Sequence, residues 1–146
     1  MDVTQKNELT YVCKVLVRNL SKTMNPGKLA AQVHHAGVQM VAKNFNRKEI
    51  KDYINSVDSF SSKIADGFGI TIVLEYIPEY GSENAIRTAV EQAKNLGYIS
   101  GIVVDPSYPV EDGILVEALT CGYILAPVED MMWNYVVPNF AWKLHR

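Results

Sequence analysis

Long apolar runs are missing from this 146-residue chain: no stretch approaches the roughly 18–20 residues needed to span a bilayer, so a membrane partner is not expected. Cysteine is scarce. Cys13 and Cys121 lie in apolar contexts with neither CxxC nor Cys/His spacing, which makes them reduced core thiols and argues against structural zinc. There is no P-loop, no GxGxxG after a strand, no nucleophile elbow and no HExxH, so nucleotide-binding, serine-hydrolase and zinc-protease chemistry have no local signature. The first ten residues lack the basic and apolar regions of a signal peptide, and with the thiols this points to a cytoplasmic location. Repeats, linkers and low-complexity segments are also lacking, and the length suits one domain over 1–146 with its core at about 10–137.

What is present is the composition of an ordinary globular protein, 48% hydrophobic and 21% charged, with a net charge of -2. The charge is uneven. Residues 1–51 hold nine Lys/Arg against three Asp/Glu, whereas 52–146 hold five against thirteen. A basic surface within residues 14–51 is therefore expected to receive phosphate, because screening confines each charge to about 8–10 Å.

Hydrophobic periodicity predicts strands over 11–20, 70–77, 98–104 and 115–125. Helices are expected from Pro26 to about Asn44, over 47–57, from Ser82 to Gly97, and over 129–137. Asn25-Pro26 supplies an N-cap and a first-turn proline, Asn46 and Glu49 have capping-box spacing, and Ser82 is the expected cap of the third helix. Residues 56–69 read as a loop. Asp105-Pro106-Ser107-Tyr108-Pro109 reads as a turn, because two prolines do not suit a central strand. The order βα(α)βαββα implies an α/β fold of three layers, a four-stranded mixed sheet between helices, in which 70–104 forms a right-handed βαβ unit.

On the first helix Lys28, Gln32, His35 and Gln39 stand at i, i+4, i+7 and i+11, which lines them along one face. Leu29, Val33, Ala36 and Met40 form the neighbouring apolar stripe, and His34 points about 100° away from His35. Lys28 lies in the first turn, where a cation opposes the helix dipole. It suits an anion site better than helix stability, with Arg18 and Lys22 as helpers. Met131, Met132, Trp133, Tyr135, Phe140 and Trp142 make the C-terminal segment rich in aromatics and methionine. Such a segment serves either as a docked tail or as a protein interface, including that of a homodimer.

The stretch from Asn25 to Ala36 resembles the signature G-K-x-A-A-Q-x-x-H-A of the archaeal/eukaryotic-type (type 2) peptidyl-tRNA hydrolases. Gly27, Lys28, Ala30, Ala31, Gln32, His35 and Ala36 match in register, seven positions in ten. Family members carry an Asp at the start of a D-A-G-x-T-type loop after the third strand, and a Thr in the next strand before a Gly-Pro. Here Asp105 occupies the Asp position, Thr120-Cys121 resembles the later Thr, and Ala126-Pro127 stands where Gly-Pro would be. The loop after Asp105 lacks the family's Gly and Thr, and the Asp-to-Thr interval is about three residues longer. In this it is similar to the divergent peptidyl-tRNA hydrolase domain-containing proteins.

The resemblance implies a mixed four-stranded sheet and hydrolysis of the ester that joins a peptide to the tRNA 3′ ribose, with no metal or cofactor. Lys28, His35, Asp105 and Thr120 would be catalytic; Arg18, Lys22 and Gln32 would bind the tRNA substrate. The competing readings are a hydrolase-like module that binds RNA, a nucleotide or a protein without turnover, and an interaction role for the C-terminal segment.

Overall fold

The computed structural model describes residues 10–20, 23–56 and 66–146. Its centre is one mixed sheet of five strands: β1 (Tyr11–Val17), β2 (Thr71–Tyr76), β3 (Ile99–Pro109), β4 (Leu115–Pro127) and β5 (Trp142–Leu144), in the order β3-β4-β1-β2-β5. The helices are α1 (Pro26–Asn44), α2 (Lys48–Ile54), α3 (Ser82–Asn95) and the single turn α4 (Trp133–Val136). β1 is parallel to β2 and antiparallel to β4, and β4 is antiparallel to β3. β2 and β3 therefore run the same way, as the βαβ reading requires, but with β1 and β4 between them.

Two cores sit on opposite faces of the sheet, which makes three layers. Cys13, Val15 and Val17 of β1 meet Ala36, Met40, Ile50 and Tyr53 of α1 and α2. Val12 and Leu16, one position out of phase, meet Ile86, Ala89, Val90 and Ala93 of α3. Gly122 allows α3 to come close: a Cβ there would stand 2.7 Å from Ile86 Cγ2. Ile86 is fully buried at that contact. Ile86→Ala is expected to cost about 2–5 kcal/mol, read as a lower urea midpoint at unchanged slope.

Helix α1 has the expected bounds, and the Asn25 side chain accepts from Lys28 N at 2.9 Å. Gly97, with φ 83°, ends α3 as expected: Tyr98 N donates to Ala93 O and Gly97 N to Lys94 O, both at 3.0 Å. Other expectations are corrected. The cap position of α3 is Gly81, and Ser82 is the first helical residue, its buried hydroxyl accepting from Asn19 N at 3.0 Å. Asn46 does not cap α2. Arg47 takes the cap position without a side-chain bond, and the Glu49 carboxylate is drawn to the Arg47 guanidinium instead. Val57, the expected end of α2, and most of the 56–69 loop lie outside the described residues.

The fifth strand was not expected. Three residues carry too little alternation to reveal a period, and β5 is held on the free edge of β2 by backbone pairing and by Lys143–Glu75 at 3.6 Å. The turn expected at Asp105–Pro109 is instead the second half of β3. β3 lies at the sheet edge, where prolines are tolerated because one side of the backbone needs no partner.

The C-terminal aromatics divide. Trp133 and Trp142 are buried in the α3-side core, while Met131, Tyr135 and Phe140 are exposed. Among the described residues no helix is long and apolar enough to cross a membrane.

Candidate active site

Two irregularities in the β3–β4 ladder create the site. Val103 pairs with Cys121 but Val104 with Leu119, so Thr120 is an extra residue on β4. Cys121 already packs on the α1 side, and strict alternation would turn Thr120 to the α3 side. The bulge instead sends Leu119 to the α3 core and lets Thr120 reach α1. Further along, Asp105 pairs with Ala118 and Tyr108 with Val116, so β3 has one residue too many between them. Asp105, two positions after Val103, already faces α1, and the second bulge brings Tyr108 to the same side.

The polar ridge of α1 runs against this edge. Gln39 Nε2 donates to Ile102 O at 2.8 Å, and Lys28 Nζ donates to Pro109 O at 2.9 Å. Between them Gln32, only 3% exposed, donates from Nε2 to Asp105 Oδ2 at 2.8 Å and accepts at Oε1 from Thr120 Oγ1 at 2.6 Å. The two bonds fix the orientation of the Gln32 amide, since a carboxylate can only accept. Ser107 N donates to Asp105 Oδ1 at 2.9 Å. Burial alone would raise the Asp105 carboxyl. The Gln32 amide, the Ser107 N–H and the nearby His35 imidazole outweigh it and hold the carboxyl below its ordinary value. His35 and His34 are exposed.

Gln32, Asp105 and Thr120 are thus joined by hydrogen bonds, with His35 near enough for its charge to act on the carboxylate, while Lys28, one turn before Gln32, bonds Pro109 O instead. Thr120 is 0% exposed, so its hydroxyl reaches Gln32 and not solvent. Thr120→Val leaves the buried Gln32 oxygen without a donor. It should cost about 1–3 kcal/mol of stability and move the Asp105 carboxyl back toward its ordinary value; a carbon-13 titration reads the shift, and Thr120→Ser should restore both.

Arg18 is not brought in. Nη2 pairs with Glu83 at 3.4 Å and Nη1 donates to Leu119 O at 3.2 Å, on the α3 side of the sheet, because Arg18 follows Val17 by one position. Lys22 lies outside the described residues. The basic residues of 14–51 do not form one surface either. Half-buried Lys14 places its ammonium 4.2 Å from the Trp133 ring centre, on the α3 side, and burial lowers its pKa. On α2 and its cap, Arg47 pairs with Glu49 and Lys48 with Asp52.

Tyr108 was missed. Its side chain is 1% exposed, its hydroxyl lies 3.2 Å from Thr23 Oγ1, and the Lys28 ammonium stands 5.5 Å from its ring centre. An aromatic between two prolines was the available signal, but only the bulge shows where it points. The free thiols of Cys13 and Cys121 are buried and pushed up to about 12, chiefly by burial, which removes a cysteine nucleophile despite the contact of Cys121 with Gln32 O at 3.5 Å.

The chain matches no model of a known protein family and none of the curated proteins.

Proposed function

We propose that the chain hydrolyses the ester that joins a peptide to the 3′ ribose of tRNA, the activity implied by the likeness of its first helix to type 2 peptidyl-tRNA hydrolases. The observation that carries this reading is the Gln32 amide, which ties Thr120 and Asp105 together on the side of α1 that also bears Lys28 and His35.

A carboxylate held below its ordinary value is a weak base at neutral pH, so Asp105 serves best to orient the attacking water and to stabilise a protonated imidazole. Imidazole is the side chain suited to proton exchange near neutrality, and His35 takes the water proton. Hydroxide adds to the ester carbonyl carbon, the bond to the ribose oxygen breaks, and that oxygen recovers the proton from His35. The Lys28 ammonium, in the first turn of α1, offsets the developing oxyanion charge or the terminal phosphate. Thr120 acts through Gln32 and is a positioning residue. The two buried free thiols fit the reducing, cytoplasmic compartment that such a substrate requires.

A second reading, a module that binds the RNA end without cleaving it, draws on the bond between Lys28 Nζ and Pro109 O, which ties one of the three ammonium N–H donors to the β3 backbone. Incubation with N-acetyl-aminoacyl-tRNA separates the two. Catalytic release of deacylated tRNA is expected; saturable binding with no release would leave the module.

A further inference from the structure

Beyond Asp105 the paired strands β3 and β4 continue as an arm that closes at the short turn Glu111–Gly113. Strand pairing orients its side chains. Tyr108 and Asp105 face α1, so their partners Val116 and Ala118 do too, and Ile114 follows two positions earlier in extended backbone. Ile114 is 59% exposed, Val116 37%, and Ala118 half-buried beside Asp105. These three residues form an apolar lane that starts at the turn and ends at the carboxylate. Its length is about 13 Å, or roughly four residues of extended chain.

The charge on the arm says which half of a peptidyl ester it can take. Residues 95–142 contain no Lys or Arg, whereas Asp105, Glu111, Asp112 and Glu117 all lie on or beside the arm. Away from the Lys28 ammonium, which meets the arm at Pro109 O, these carboxylates repel phosphate from such a surface. An extended, uncharged or cationic chain with apolar side chains is not repelled. We infer that the arm is the acyl subsite, receiving apolar side chains of the peptide as it lies along Ile114, Val116 and Ala118 toward Asp105. This inference rests on the hydrolase reading of the Asp105 site.

The test compares kcat/KM on N-acetyl-trileucyl-tRNA and N-acetyl-triglycyl-tRNA. The wild-type chain should prefer the leucyl substrate by roughly 10–200-fold, the range for apolar side-chain discrimination. In Ile114→Ser/Val116→Thr, both solvent-facing positions, the ratio should fall toward one. Leu115→Ser, on the opposite face of the arm by alternation, should keep the wild-type ratio and shows that the arm tolerates a polar residue. Turnover of both substrates without preference, or a preference unchanged in the double variant, removes the arm and leaves the hydrolase. No turnover of either removes both.

Discussion

Replacing Asp105 with Asn is expected to lower kcat/KM on N-acetyl-aminoacyl-tRNA by about 10²–10⁴-fold, the range for loss of a positioned acid–base partner. The cause is specific. The carboxylate accepts from Gln32 Nε2 and from Ser107 N, and the His35 imidazole is near enough for its charge to act on it. Asn keeps an acceptor for one of these donors but removes the charge that would hold a protonated imidazole. It also sets an amide N–H₂ or a neutral oxygen against the Gln32 amide, so a stability loss of about 1 kcal/mol should accompany the rate loss. The pH dependence gives a second check. A carboxyl held below its unfolded value stabilises the folded chain above the unfolded pKa of about 3.9, and that contribution is lost as pH falls through the folded value. Unfolding midpoints of the wild type and Asp105→Asn should therefore differ near neutrality and converge in acid below about pH 4. Equal turnover by the two proteins would remove Asp105 from the mechanism.

Lys28→Met should reduce kcat/KM by about 10²–10³-fold, comparable to the loss of one oxyanion donor. Stability should hardly fall. A cation in the first turn of α1 opposes the helix dipole, so removing it offsets the loss of the bond to Pro109 O and of the contact with the Tyr108 ring. The salt response identifies which anion Lys28 meets. If it holds a phosphate of the single-stranded tRNA end, the slope of log affinity against log salt becomes shallower by about 0.7 in the variant. If it meets only the oxyanion, binding and its slope stay as in the wild type and the loss falls on kcat. Full activity in Lys28→Met would contradict both roles.

The parts of the molecule that were legible in the sequence are those set by local rules. The bounds of α1 follow from the Asn25 cap and Pro26, and the end of α3 follows from Gly97, whose φ of 83° suits glycine. The alignment of Lys28, Gln32, His35 and Gln39 is a consequence of helical spacing, and the structure turns that ridge onto β3, where it satisfies carbonyls that an edge strand would otherwise leave unpaired.

What stayed hidden depends on pairing between distant segments. Nothing near Thr120 signals that it is the extra residue of a bulge, since that is defined only by which β3 residues lie opposite. The prolines around Tyr108 suggest a turn in the sequence alone, because the edge position of β3 is a property of the whole sheet. Arg18 and Lys14 are near Lys28 in sequence, whereas strand alternation sends both to the opposite face.

A double-mutant cycle on kcat/KM between Gln32→Leu and Asp105→Asn tests most directly whether the α1 ridge and the β3 carboxylate work as one unit. A shared unit predicts that the double variant is about as slow as the slower single variant, a coupling of about 0.5–3 kcal/mol. Losses that simply multiply, each substitution acting as if the other residue were elsewhere, would contradict it.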